Sequence, residues 1–185
     1  MAVVLPAMLQ DPHLGFLFGK ARQIHFLWQK REAGGDLIDD LAVHPWSLLP
    51  RPVTVTAVER STGQANGVRL AFCQQPATAG NPLAGSMLLQ TGGTFRGMCV
   101  DGTVLQFDFS GGLLRVLALD LPWERILDGE RCRSRAGVVL QIENPLQQHL
   151  VSLLMGRPVV DMQHTLACQR FLESARHLFN TNCEA

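Results

Sequence analysis

A chain of 185 residues is about one domain in length and long enough to bury a core without disulfide staples. Hydrophobic residues make up 46% and charged residues 17%, a globular balance that excludes a disordered chain. Acidic and basic residues balance at 16 each, Lys20 and Lys30 are the only lysines and the arginines are scattered, so no basic stripe for nucleic acid can be read.

The opening "MAVVLPAMLQDPHLGFLFGK" has an apolar patch without a positive leader segment, and Pro6, Asp11, Pro12 and His13 interrupt it well short of a membrane span. The expectation is a cytoplasmic chain with no membrane association. "RQIHFLWQKR" alternates around Ile24, Phe26 and Trp28 with the period of a half-buried strand and ends at charge. "REAGGDLIDDLAVHPWSLLP" follows as an acidic, apolar helical stretch bounded by glycines and prolines. "VTVTAVER" is a β-branched run, and "GVRLAFCQQ" repeats its alternation behind the turn residues "STGQANG", so the two pair as a hairpin.

Beyond the turn-rich "PATAGNPLAG" lie four short strand candidates, "SMLLQT", "TFRGMCV", "TVLQFDFS" and "LLRVLALD". They are separated by "GG", "DG" and "GG", dipeptides that supply positive φ in tight hairpins, and so read as an antiparallel meander. In "IENPLQQHLVSLLMG" Asn144 can cap a helix, Pro145 takes the first helical position, Gln147 stands where a capping-box partner belongs and Gly156 stops it. A second helix starts after Pro158 with Asp161 as cap, and Met162, Leu166, Leu172, Ala175 and Phe179 give it an apolar stripe for the core. The layout predicts one α+β domain over residues 1–185: a large open, mostly antiparallel sheet of about seven strands with helices on one face. The other face needs cover, which a second copy of the same sheet supplies, so a homo-oligomer through that face is expected.

The five cysteines, Cys73, Cys99, Cys132, Cys168 and Cys183, form no C-x-x-C pair and read as free thiols, and the dispersed histidines offer no metal-ligand spacing. The residues with chemical potential are in the acidic stretch. If 36–49 is helical, Asp40 and His44 lie at i and i+4 on one face. A carboxylate there can accept from one imidazole nitrogen and leave the other to exchange a proton with a substrate hydroxyl. The competing reading is a surface helix with a half-buried histidine, Asp36 and Asp39 serving the helix dipole. Pro45 removes the hydrogen bond to the Leu41 carbonyl and bends the helix beside His44.

These residues resemble the C-terminal domain of the Gfo/Idh/MocA oxidoreductases. That domain opens with a strand and then a helix reading like G-G-G-x-L-x-D-x-G-x-H, and "AGGDLIDDLAVHPWSLL" places Asp40 and His44 on the motif's Asp and His. "NPLQQHLVSLLMGRPVVDMQHTLACQRFLESA" is similar to the family's closing pair of helices, and the meander fits its open sheet. The resemblance implies a substrate-side domain whose sheet forms the oligomer interface, with His44 as general acid/base on a hydroxyl of a sugar- or polyol-like compound and Asp40 in support.

The chain departs from the family in lacking a G-x-G-x-x-G dinucleotide fingerprint and the E-K-P lysine; Asp36, Asp39 and Ala42 also replace motif residues. No cofactor is therefore expected on this chain alone; NAD(P) enters only if a separate Rossmann-domain subunit supplies it. Two alternatives use the same residues differently. One is a cofactor-independent isomerase, dehydratase or lyase built on the Asp40 and His44 dyad. The other is a non-enzymatic dimerising module in which the strand arginines Arg22, Arg69, Arg96 and Arg115 bind an acidic ligand.

Overall fold

In the computed structural model, residues 4–32, 36–62, 66–74, 82–129, 137–156 and 162–183 are described. The chain runs α1 (Val4–Gln10), α2 (Pro12–Lys20), β1 (Gln23–Lys30), α3 (Leu37–Leu41), α4 (Val43–Trp46), β2 (Thr54–Thr62), β3 (Asn66–Cys73) and β4 (Ala84–Thr91). It continues through β5 (Arg96–Val100), β6 (Thr103–Ser110), β7 (Leu113–Leu119), α5 (Trp123–Leu127), β8 (Gly137–Glu143), α6 (Pro145–Leu154) and α7 (Met162–Cys183). The strands form one eight-stranded sheet in the order β2-β3-β4-β1-β5-β6-β7-β8, one more than the pattern predicts. The class is as expected, α+β with a mostly antiparallel open sheet.

Turn chemistry builds the hairpins where it is expected. Asp101 and Gly102 both take positive φ, 45° and 91°, between Val100 and its partner Thr103, and Gly111 and Gly112 do the same between Ser110 and Leu113. Two successive left-handed residues match the strand twist and close a two-residue loop. The glycine pair at 92 and 93 does not. There the chain leaves β4, Gly92 N–H donates to Lys30 O at 2.9 Å, and β1 is inserted between β4 and β5. β1 thereby pairs parallel with β4 and antiparallel with β5, and the meander holds only from β5 onward. Gln29 fastens the crossing: its Oε1 accepts from Phe95 N–H at 3.1 Å while its own N–H donates to Phe95 O at 2.9 Å.

Parity along β1 divides the two faces. Ile24, Phe26 and Trp28 point into the main core with Leu70, Phe72, Met87, Leu89, Met98 and Phe107, and α1 to α4 and α7 contribute Met8, Phe18, Ile38, Trp46 and Phe171 to the same cluster. On the other face Leu27, Leu88, Cys99 and Val104 form a smaller cluster capped by Ile126 of α5. Helices thus cover one face, and a single short helix covers a corner of the second.

The N-terminal segment forms two helices that the prolines seem to forbid. Pro12 occupies the first turn of α2 immediately after Asp11, whose carboxylate accepts from His13 N–H and Leu14 N–H at 3.0 and 2.9 Å. Proline is tolerated there because its missing N–H would have had no helical partner. Pro6 likewise sits in the first turn of α1.

At the other end, β8 escaped the pattern because it is an edge strand with Ile142 as its one buried residue. Asn144 is the N-cap of α6 in position only: its φ is 44° and its side chain makes no capping bond, while Gln148 Nε2 donates to Glu143 O at 2.7 Å. Gly156 closes that helix with φ 66° as expected, and the Asp161 cap lies outside the described residues. Along α7, Phe171 and Ala175 are the buried residues, whereas Leu166 is 43% exposed and not part of the core stripe. No helix among the described residues is long and apolar enough to cross a membrane.

Candidate functional site around His44

Asp36 starts the acidic segment as an N-cap, its Oδ1 accepting from Ile38 N–H at 2.8 Å. The expected single helix is two short ones, α3 and α4, divided at Ala42. Pro45 accounts for the division, since it cannot donate to the Leu41 carbonyl and must therefore lie in the first turn of a new helix. α3 is fastened at both outer aspartates: Asp39 pairs with Arg176 of α7, and Asp40 pairs with Lys30 at the end of β1.

The Asp40 and Lys30 pair changes the expected dyad. No hydrogen bond joins Asp40 to His44; the carboxylate is engaged by the lysine instead. His44 leans the other way, its ring stacked on Trp28 with centroids 6.1 Å apart and planes 18° from parallel. Its outer side stays in solvent. The imidazole pKa lies below the ordinary value, through desolvation first and the Arg96 guanidinium as a further cause. Both effects penalise the charged ring, so His44 is neutral at neutral pH and able to accept a proton.

Arg96 completes the group. It is the cross-strand neighbour of Trp28, and its guanidinium lies over Phe109 with 5.5 Å from Cζ to the ring centroid. Its Nε is buried and has no hydrogen-bond partner among the described residues. A buried donor left without an acceptor costs on the order of 1–3 kcal/mol, which a ligand oxygen would recover. Phe107, 5.9 Å from the Trp28 ring, supplies the apolar floor.

The site therefore gathers Lys30, Asp40, His44 and Arg96 around Trp28. The helical spacing of Asp40 and His44 pointed to this stretch, but the two side chains are not joined to each other. Lys30 reads in the sequence as the charged end of a strand, yet strand parity puts it on the same face as Trp28, which is the signal that places it here. Arg96 reads as one of four strand arginines; only the pairing of β1 with β5 sets it beside Trp28.

No family model matches the chain, and no curated protein matches it. Solved structures do. A Gfo/Idh/MocA family oxidoreductase from Vibrio cholerae superposes with a TM-score of 0.52 at 15% identity, over 100% of this chain and 61% of that one. UDP-N-acetylglucosamine 3-dehydrogenase GnnA from Acidithiobacillus ferrooxidans gives a TM-score of 0.50 at 14% identity, over 93% of this chain and 58% of that one. At such identities the likeness is one of fold, and the chain spans about three fifths of the length of the structures it matches.

Proposed function

We propose that this chain, whose fold is shared with Gfo/Idh/MocA family oxidoreductases, is the substrate-side part of such an enzyme, acting on a sugar- or polyol-like hydroxy or carbonyl compound. The observation that carries the reading is the setting of His44: a neutral imidazole in an offset stack on Trp28 at 6.1 Å, beside a guanidinium whose buried Nε has no acceptor among the described residues. A substrate oxygen on Arg96 Nε–H would bring a neighbouring hydroxyl within reach of the imidazole, which takes its proton as general base or returns one as general acid. Asp40 acts at one remove: its pair with Lys30 ties α3 to the end of β1, and α3 leads directly into α4, which carries His44.

The chain's own residues do not fit a dinucleotide. Between β1 and α3 the sequence has adjacent glycines, Gly34 and Gly35, and not the spaced G-x-G-x-x-G of a pyrophosphate-binding fingerprint. The connection between the parallel neighbours β1 and β4 runs through α3, α4 and then the β2–β3 hairpin, not a simple strand–helix–strand crossover. NAD(P) accordingly belongs to a dinucleotide-binding domain outside these residues, and a second copy covers the open sheet face.

Reconstitution tests this. A panel of sugars and polyols with NAD(P)⁺ is expected to be turned over when the chain is combined with a separately expressed Rossmann domain, and by neither part alone. Turnover by the chain without any nucleotide would instead establish the cofactor-independent isomerase, dehydratase or lyase. The missing dinucleotide turn is what favours that second reading.

A further inference from the structure

On the side of the sheet facing away from His44, the floor of a cavity of about 470 Å³ is polar where its surroundings are apolar. Ser86 of β4, His25 of β1 and Cys99 of β5 stand in one row across three adjacent central strands. The next row on that face carries Leu88 and Leu27, both buried. His25 Nδ1 and Ser86 Oγ are 3.0 Å apart, a hydrogen bond between two half-buried side chains at the centre of the sheet. Burial, with the Arg69 guanidinium as the second cause, holds His25 below its ordinary pKa, so the ring is neutral and one of its nitrogens donates.

Arg69 lines the same cavity from β3. Its cross-strand partner in β2 is Glu59, yet no ion pair joins the two among the described residues. One of the two carboxylates lining the cavity is already occupied: Asp101 accepts from the backbone N–H groups of Arg22 and Gln23. The other, Glu124, is an exposed residue of α5. The same short helix brings Trp123 over the cavity opposite Leu88, giving an apolar wall above a floor of hydroxyl, imidazole and guanidinium.

We propose that this cavity binds a small organic carboxylate, its anionic group on Arg69 and the Ser86 and His25 pair, its apolar body against Trp123 and Leu88. Guanidinium, hydroxyl and a neutral imidazole together offer donors that suit a carboxylate, and the volume lies in the small-molecule range. Because the cavity and the His44 site lie on opposite faces of β1, binding here stands or falls independently of the chemistry proposed at His44. The cavity lies on the face assigned above to a second copy, so carboxylate and second copy compete for it, and the titration is run at a protein concentration where light scattering reports a monomer.

Benzoate is the probe, followed by the fluorescence of Trp123 with a Trp123→Phe variant identifying that signal. Saturable binding is expected, weakened at least about tenfold by Arg69→Gln, which removes the charge-assisted hydrogen bonds to the carboxylate. Ser86→Ala is a second variant expected to weaken it, and serves if the arginine variant fails to fold. Benzamide, which lacks the charge, is expected to bind much more weakly, and inorganic phosphate, which lacks the apolar body, likewise. No binding of benzoate at millimolar concentration, benzamide binding as tightly, phosphate binding as tightly, or affinity unchanged in both folded variants would each overturn the proposal.

Discussion

His44→Ala is expected to lower turnover of the reconstituted system by about 10²–10⁴-fold, the range lost when a positioned general acid/base is removed. Little of the fold depends on this side chain. Its outer side is in solvent, no hydrogen bond from the ring to another residue is formed among the described residues, and its stack on Trp28 is worth about 1 kcal/mol. The melting temperature should therefore fall by only about 2–4 °C, as expected for a loss of this size in a chain of such length. Circular dichroism melts and initial rates on the same preparation check both parts. A large fall in melting temperature with unchanged turnover would identify His44 as a structural residue and remove the basis of the proposed chemistry.

The largest effect on stability is expected at Gly85. A β-carbon there would lie 1.7 Å from Ile24 O and 2.8 Å from the Phe72 ring. The first contact is with the backbone of β1, the partner strand of β4, so relief would require the parallel pair to separate. Phe72 already fills the space above the glycine, its ring tilted 45° to that of Phe26 with centroids 6.5 Å apart. Gly85→Ala should thus cost about 3 kcal/mol or more, the upper end of overpacking penalties, and lower the melting temperature by at least about 6 °C. Gly19→Ala is the control. Nothing lies within 4 Å of a β-carbon at that position in α2, so replacement should leave stability unchanged or raise it slightly. Equal melting temperatures for the two variants would contradict the close approach of β1 and β4.

These two residues illustrate what a linear reading can and cannot reach. Asp101-Gly102 and Gly111-Gly112 announced hairpins because the information for a two-residue turn is local. Gly92-Gly93 has the same composition but ends a crossover, and nothing in the dipeptide reveals that β1, some sixty residues earlier, occupies the space between β4 and β5. A bend beside His44 followed from Pro45, but not the full break into two helices at Ala42. Nor did the partner of Asp40 follow, because helical spacing pointed to His44 whereas the nearer cation, Lys30, arrives from the end of a strand. Pro6 and Pro12 read as interruptions and are helix starts, a distinction that depends on which turn of the helix a proline enters. The α+β class and the apolar face of β1 were legible throughout, since alternation of Ile24, Phe26 and Trp28 requires only sequence.

The most direct measurement on the site is a histidine-selective NMR titration of the chain. His44 should titrate below 6.5, through desolvation first, with Arg96 as a further cause. A histidine depressed in the folded state contributes stability above its unfolded pKa that is lost as pH falls through the folded value. General-base activity should persist below pH 6.5 and disappear through that same lower midpoint. Asp40→Asn should leave the midpoint nearly unmoved, because Asp40 is paired with Lys30, and a hydroxy compound that is turned over should shift the His44 signal saturably. A midpoint above 6.5 that drops in Asp40→Asn, or a His44 signal indifferent to saturating substrate, would contradict the account.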